Sequence, residues 1–353
     1  MTRGIVVSVL AFCALVSSGC VTVHKGNNQS HGEIKAASGI PQLRRPIEDV
    51  AHYGSTHLWI VTANGDLLRT EDGGITWHKT TSESVGGFER VSFIDGDRGW
   101  AINSRGQVLS TQDGGRLWGT IVSLGRPLVV DQIKFVDLDT GWFLEPFSVR
   151  HTTDGGVSWV KKDFETPLAD ASFTNQQVAW VFDQEKRLFQ TINGGQTWQR
   201  YTTRLGTGDI QSMFCIDPSK GWLACRPNQI HRTEDGGKTW EMKAIPGNKA
   251  ILDSLYFKDD NEGWGAGSEE TATETNSRGF RAILIHTLDG GKTWEIQPVD
   301  IVDVGFQSVY FADKLNGWLV GYDKGYRTDD GGRNWRTVID VAQGINISRA
   351  LGR

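Results

Sequence analysis

The sequence predicts an all-β fold, a seven-bladed β-propeller with four strands in each blade. Two observations lead to this prediction. An eight-residue box that contains two consecutive glycines and ends in tryptophan occurs seven times, and a second tryptophan precedes each box. These two sets of seven account for all 14 tryptophans of the chain, so one repeat organises most of the sequence.

The N-terminus predicts an export signal over residues 1–19. Arg3 supplies a positive start, an apolar run extends from Ile5 to Val16, and small residues precede Cys20. The stretch LVSSGC at 15–20 resembles the lipobox of bacterial lipoproteins, whose cysteine is acylated after cleavage. This resemblance implies a lipid on Cys20; the alternative is an ordinary cleaved signal with a free cysteine nearby.

The segment that follows predicts a flexible tether. Residues 20–45 carry the lipidated cysteine and a polar stretch without periodicity, which leads to Pro46. A flexible chain of this length has a typical reach of about 28 Å, so the folded domain over residues 46–340 would stay close to its membrane. Residues 341–353 are predicted to form a C-terminal tail.

The box recurs at the length of a propeller blade. Successive central residues of the box are 41, 41, 39, 42, 54 and 41 residues apart, and a four-stranded blade has about 40 to 45 residues. These central residues are Asp72, Asp113, Asp154, Asn193, Asp235, Asp289 and Asp330. The longest interval belongs to blade 6, where residues 268–280 have the composition of an exposed loop.

Four strands can be placed in each repeat. An apolar alternation such as RVSFID at 90–95 predicts strand one, and the stretch that begins with Gly-Trp predicts strand two. The residues that lead into the box form strand three, and the box tryptophan opens strand four. Blade 1 completes its strands by residue 80 and blade 7 by about residue 340. Closure of the ring therefore does not require a strand shared between the termini, although the sequence leaves sharing open.

The box is typical of a turn between strands. Two consecutive glycines allow positive φ without a steric clash, and the preceding acid can accept hydrogen bonds from the amides of its own turn. Each box tryptophan then packs between sheets, where burial contributes about 4 to 6 kcal/mol before entropy is counted. Asn193 replaces the acid in blade 4, and copies spread around a ring cannot converge on one substrate. A structural role is therefore predicted, without metal binding or catalysis.

The boxes resemble the Asp-box (BNR) repeats of sialidases and related propellers. Together with the Gly-Trp strands, the pattern over residues 46–340 is most similar to the photosystem II stability and assembly factor family. This resemblance implies a propeller without enzymatic activity that binds newly made membrane-protein subunits. With the lipobox, it implies an exported monomer, lipid-anchored to a bacterial membrane and facing the periplasm, a thylakoid lumen or the cell exterior.

A sialidase-like glycosidase or a carbohydrate-binding propeller is the alternative function. The sialidase family has six blades and an Arg-Ile-Pro motif, whereas this chain has seven boxes and only LRRPI at 43–47. Motifs of zinc proteases, serine hydrolases, nucleotide-binding loops and redox dithiols are absent from the sequence, so no catalytic residue, metal or cofactor is predicted. With 37 basic and 42 acidic residues, the net charge of −5 opposes nucleic-acid binding.

Carboxylates recur at the start of strand one, the strand nearest the axis of a propeller. They predict a collar at one mouth of the central channel, which would attract a basic peptide or a cation. The alternative is that strand ends facing a wet channel are polar in any case. The predicted collar comprises Glu48, Glu89, Asp131, Asp170, Asp209 and Asp253.

Two cysteines lie in the predicted domain, on strands one and two of blade 5. Cys215 and Cys225 flank the turn at 217–221. An antiparallel pair with that turn could bring them opposite each other, and export would allow a disulfide. A disulfide and two free thiols both remain open at this point.

Overall fold

The computed structural model describes residues 47–81, 85–125, 128–206, 208–247, 249–271, 279–301, 303 and 305–342. These residues form 28 strands in seven antiparallel sheets of four, which confirms the predicted seven-bladed propeller. The described chain has no helix, and so none that could cross a bilayer.

The first four blades contain strands β1 to β16. Blade 1 comprises β1 (Ile47–Tyr53), β2 (His57–Thr62), β3 (Leu67–Thr70) and β4 (His78–Thr80). Blade 2 comprises β5 (Phe88–Phe93), β6 (Gly99–Asn103), β7 (Gln107–Thr111) and β8 (Gly119–Ser123). Blade 3 comprises β9 (Gln132–Phe135), β10 (Gly141–Glu145), β11 (Ser148–Thr152) and β12 (Val160–Asp163). Blade 4 comprises β13 (Leu168–Phe173), β14 (Ala179–Asp183), β15 (Arg187–Thr191) and β16 (Gln199–Thr202).

The last three blades contain strands β17 to β28. Blade 5 comprises β17 (Ile210–Cys215), β18 (Gly221–Cys225), β19 (Gln229–Thr233) and β20 (Glu241–Ala244). Blade 6 comprises β21 (Ile251–Phe257), β22 (Gly263–Thr271), β23 (Gly279–Thr287) and β24 (Glu295–Ile296). Blade 7 comprises β25 (Phe306–Phe311), β26 (Gly317–Gly321), β27 (Lys324–Thr328) and β28 (Arg336–Asp340).

Within each blade the strands pair in chain order, so the first strand lies at one edge of the sheet. First strands of neighbouring blades contact one another, β1 with β5 and β5 with β9, and β13, β17, β21 and β25 in sequence. The first strands therefore surround the axis. We call the face where they begin the collar face, and the face that carries the seven boxes the box face.

The ring closes by packing between blades 7 and 1. The strands of each of these blades pair only with one another. Ile47, Leu58 and Ile60 are buried in one cluster with Trp318 and Val338 from blade 7. The backbone N–H of Ile47 adds one hydrogen bond to the carbonyl of Tyr322, at 3.3 Å. No strand is shared between the described ends of the chain, which answers the question that the sequence left open.

Aromatic stacking between blades explains the Gly-Trp motif. Trp59 of blade 1 stacks on Phe93 of blade 2, with ring centroids 3.7 Å apart and planes 7° from parallel. The other side of the Phe93 ring lies against Gly99, where a Cβ atom would come within 2.4 Å of it. The same close approach recurs for Gly141 with Phe135. The glycine is needed because the aromatic residue of strand one covers its Cα.

The insertion in blade 6 extends a hairpin. β22 and β23 each have 9 residues and stay paired as far as Thr271 and Gly279. Glu269 is only 4% exposed and accepts a hydrogen bond from Arg281 at 2.5 Å. The prediction of a loop is therefore wrong for the two ends of residues 268–280, which are paired strands, and the prediction of exposure is wrong for Ser268 and Glu269, which are buried. Phe280 is 42% exposed, and residues 272–278 lie outside the described chain.

Candidate functional site

Every Asp box forms the same hydrogen-bonded turn. In blade 3, the hydroxyl of Thr152 donates to Asp154 at 2.7 Å and accepts the N–H of Gly156 at 3.0 Å. Asp154 also accepts hydrogen bonds from the N–H and the hydroxyl of Ser158, at 2.9 and 2.5 Å. The hydroxyl that opens the box bonds in the same way to the remaining central residues, Asp72, Asp113, Asn193, Asp235, Asp289 and Asp330.

These bonds hold the box carboxylates in their charged form. Hydrogen bonds from Ser158 and Thr152 lower the pKa of Asp154 to about 2. Asn193 fills the same place with an amide oxygen that accepts from Thr191 at 3.0 Å and from the N–H of Thr197 at 3.0 Å. The Asn193 amide nitrogen donates to the Thr197 hydroxyl, the reverse of the bond from Ser158 to Asp154. The feature that all seven boxes share is therefore an oxygen that accepts from the hydroxyl that opens the box.

The collar face holds four of the six predicted collar residues at equivalent positions. Glu48, Glu89 and Asp253 are the extra residues of β-bulges near the start of β1, β5 and β21. Asp131 directly precedes β9, and its N–H donates to the carbonyl of Leu144 at 2.9 Å. Asp253 accepts a hydrogen bond from the hydroxyl of Tyr322 at 3.3 Å.

The other two predicted collar residues occupy different places. Asp170 follows the bulge position, which Ala169 holds in blade 4, so its side chain turns toward the neighbouring blade. There it accepts the N–H of Met213 at 2.6 Å. Asp209 lies one residue before β17 and is exposed. The prediction of a collar of six is therefore wrong for Asp170, because a shift of one residue changes the direction of a strand side chain. Asp209 stays exposed, two residues before Gln211, which holds the bulge position in blade 5.

Asp170 belongs to a set of interblade contacts that the sequence analysis missed. Asp49 accepts the N–H of Val91 at 2.7 Å in the same way, between blades 1 and 2. Blades 5 and 6 use serine at the equivalent position: Ser212 accepts from Leu255 at 3.1 Å and Ser254 from Val309 at 3.3 Å. The sequence does carry a signal for these contacts. Each of these residues stands three positions before the last residue of the apolar strand-one pattern, as Ser254 does before Phe257.

The two half-buried acids of this set differ from the serines in their proton affinity. Burial raises the pKa of Asp170 to about 7, against the hydrogen bonds from Ala171 and Met213 that lower it, and the charge of Asp131 raises it further. Burial likewise raises the pKa of Asp49 to about 6, while the Arg90 guanidinium opposes this rise. Both carboxyls therefore change their protonation state near neutral pH, whereas a serine hydroxyl does not.

A groove of about 550 Å³ opens on the collar face across blades 1 to 3. Buried side chains of Phe88 and Val130 contribute to its lining, and Val129 stands 56% exposed at its edge. Two glycines shape it, since a Cβ on Gly65 would lie 2.5 Å from the Cα of Gly87. This close approach draws the β2–β3 turn of blade 1 against the entry to β5.

Charged groups line the axial side of the groove. Three are the collar acids Glu48, Glu89 and Asp131, and the fourth is Arg90. The Arg90 guanidinium donates to the backbone carbonyls of Asp131 at 2.8 Å and Glu89 at 2.7 Å. Arg90, the one cationic side chain among the described lining residues, is thus held by backbone carbonyls. The three acidic side chains give this side of the groove a net negative charge.

The two cysteines of blade 5 are free thiols. The strand register pairs Cys215 with Gly221 and Cys225 with Ile210, so they stand at opposite ends of the β17–β18 ladder. Of the two alternatives that the sequence left open, this register favours the free thiols, because a disulfide would need both residues at the same rung. Cys215 takes the place that phenylalanine has in other blades and is buried in one cluster with Trp180, so its role is packing.

Some predicted features lie outside the described residues. Cys20, the signal over residues 1–19, the rest of the tether and residues 343–353 belong to this part of the chain. Within the described part, no group of three or more His, Cys, Asp and Glu side chains is placed to hold a metal ion.

Comparison with known proteins identifies relatives of this fold. The model of the family described as photosynthesis system II assembly factor YCF48 matches residues 40–128, 160–243 and 208–295. No relative was found among curated proteins. A structure of YCF48 bound to a D1 peptide is similar, with 21% identity and a TM-score of 0.60 over 82% of this chain and 92% of that one.

Two further solved structures show how widely the fold is shared. YCF48 from Cyanidioschyzon merolae has 18% identity and a TM-score of 0.63 over 82% of this chain and 97% of its own. Virginiamycin B lyase from Staphylococcus aureus has 11% identity and a TM-score of 0.62 over 81% of this chain and 95% of its own. At these identities the structural likeness shows the fold alone, and the lyase is an enzyme on the same scaffold.

Proposed function

Because the chain belongs to the photosynthesis system II assembly factor YCF48 family, we propose that it is a non-enzymatic, membrane-anchored assembly factor. Its propeller would hold a segment of a newly made membrane-protein subunit until that subunit joins its complex. The observation that carries this proposal is the family match over residues 40–128 and 160–295, which includes most of the propeller. The D1 peptide bound to a relative supports a membrane-protein subunit as the class of partner.

The described site favours binding over catalysis. Box carboxylates such as Asp154 are engaged within their own turns. The collar face instead offers a broad groove with mixed apolar and charged lining, a surface suited to a peptide. A glycosidase would need a pair of carboxyls arranged about a glycosidic bond, and no observation favours that function.

The anchoring part of the proposal rests on the N-terminal sequence. A cleaved signal over residues 1–19, a lipid on Cys20 and a tether to residue 45 would keep a monomeric propeller at the surface of a bacterial membrane. The lipidated chain would face the periplasm, a thylakoid lumen or the cell exterior. Substitution Cys20→Ser would then move the protein from the membrane fraction to the soluble exported fraction, and the intact mass would lose the acyl groups.

The partner is tested by affinity purification of the full chain from detergent-solubilised native membranes after a short pulse of isotope label. We expect recovery of newly made, labelled membrane-protein subunits above the level recovered by an untagged control. Recovery of no membrane-protein subunit would overturn the assembly-factor proposal. Hydrolysis of a glycan by the purified chain would overturn its non-enzymatic part.

A further inference from the structure

The groove on the collar face has two chemically different sides. Its outer edge is apolar, with Val129 exposed beside buried Val130 and Phe88. Its axial edge carries the carboxylates of Glu48 and Asp131, both exposed. At about 550 Å³, the groove is large enough for a few side chains of a bound polypeptide.

Asp131 is one of the two exposed acids of the groove. Its carboxylate accepts no hydrogen bond within the described chain, and Arg90 directs its Nε–H to the Asp131 backbone carbonyl. Crowding by protein around the channel mouth raises the pKa of Asp131, although the charge of Arg90 acts in the opposite direction. A cation placed in the groove would stabilise the charged carboxylate and find an acceptor with free lone pairs.

We infer that this groove binds a short segment of a partner polypeptide that carries arginine or lysine next to an aliphatic side chain. The cationic group would lie between Glu48 and Asp131, and the aliphatic group would cover Val129. Charge complementarity argues for this occupant, because three acids and one engaged arginine line the groove among the described residues. The inference rests on the proposed function, since it names the surface on which the membrane-protein segment is held.

A matched pair of double variants of the full chain tests the groove. Glu48→Gln with Asp131→Asn removes two charges from the groove. Asp97→Asn with Asp139→Asn removes two exposed charges from the box face of blades 2 and 3, where both acids lie in turns before strand two. The probes are short synthetic peptides that alternate leucine with arginine, glutamate or glutamine, and binding is followed by fluorescence anisotropy.

We expect the leucine–arginine peptide to bind the wild-type chain, and to bind more weakly as salt rises. The groove double variant should lose about tenfold in affinity, whereas the box-face double variant should not change. Val129→Ser should weaken the same peptide about threefold, as expected for the loss of one aliphatic contact. Equal melting temperatures of all variants would show that the fold is intact.

Several results would overturn the inference. The first is that the leucine–glutamate peptide binds the wild-type chain as tightly as the leucine–arginine peptide. The second is that both double variants lose the same affinity for the leucine–arginine peptide. The third is that the groove double variant loses no affinity for it. A peptide that copies residues 38–46 and binds more tightly than the leucine–arginine probe would assign the groove to the N-terminal segment of the chain itself, and would also overturn it.

The affinity purification separates this inference from the proposed function. If the groove double variant still recovers the membrane-protein subunits, the assembly function stands and the groove inference fails. If the wild-type chain recovers none while the leucine–arginine peptide still depends on Glu48 and Asp131, the groove stands as a peptide site and the assembly function fails.

Discussion

The two faces of the propeller use carboxylates in opposite ways. On the box face, Asp154 is surrounded by donors from its own turn, and the equivalent residues in other blades repeat this arrangement. On the collar face, Glu48, Glu89 and Asp131 stand in three neighbouring blades, while blades 4 and 5 have Ala169 and Gln211 at the bulge. The Asp boxes, which every blade repeats, stabilise the ring. The acids at the bulges of blades 1 to 3 instead give this part of the collar face a charge that blades 4 and 5 lack there.

The largest expected effect contrasts two phenylalanines. Phe93→Ala removes the ring that fills the space between Trp59 and Gly99 on the box side, so the free energy of unfolding should fall by about 3 to 5 kcal/mol. Phe147→Ala, in a turn at the collar face where the ring is 51% exposed, should cost less than about 1 kcal/mol. Chemical denaturation of the two variants measures both, and similar losses would contradict the packing role given to Phe93.

A smaller effect is expected when one acid is removed from each face. Asp154→Ala deprives Thr152 and Ser158 of their acceptor and should destabilise the fold by about 1 to 2 kcal/mol. Asp131→Ala should change the free energy of unfolding by about 0.5 kcal/mol or less.

The contribution of Asp154 to stability should depend on pH. Because the pKa of Asp154 is lowered to about 2, this contribution is complete above the ordinary carboxyl pKa near 3.8 and is lost as pH falls through about 2. Denaturation at pH 7 and pH 3 should therefore show a smaller difference at pH 3, and an unchanged difference would count against the charged turn.

The smallest effect concerns the acid that joins blades 4 and 5. The pKa of Asp170 is raised to about 7, so folding favours its protonated form and the ionised form weakens the fold progressively as pH rises from about 4 to 7. Asp170→Asn keeps an acceptor for Met213 without the charge, and it should stabilise the protein by on the order of 1 kcal/mol at pH 8 and by little at pH 4.

Ser212→Ala provides the matched control for this pH dependence. It removes the acceptor of the Leu255 N–H at the equivalent position between blades 5 and 6, where a serine stands in place of the acid. Its destabilisation should be about 1 kcal/mol and the same at pH 4 and pH 8. A pH-independent effect of Asp170→Asn, or a pH-dependent effect of Ser212→Ala, would remove the distinction between the acid and serine contacts.

Sequence reasoning was strongest where a residue's role depends on its immediate neighbours. The box positions, the four strands of each blade and the seven blades could be predicted because turn chemistry and strand alternation are local. It was weaker at the start of strand one. There Asp170 looked equivalent to Asp131, although a one-residue difference relative to the bulge places the two side chains in different surroundings.

The number of blades, their strand order and the use of Asp154 and its equivalents in turns follow from the amino-acid sequence alone, because the repeat occurs seven times. The folded ring was needed to show which acids line the groove, which acids join blades, and that Cys215 replaces a phenylalanine beside Trp180. The physical reason is that strand side chains alternate in direction. A bulge or a change of register therefore determines which blade each side chain meets, and this is fixed only when the strands pair.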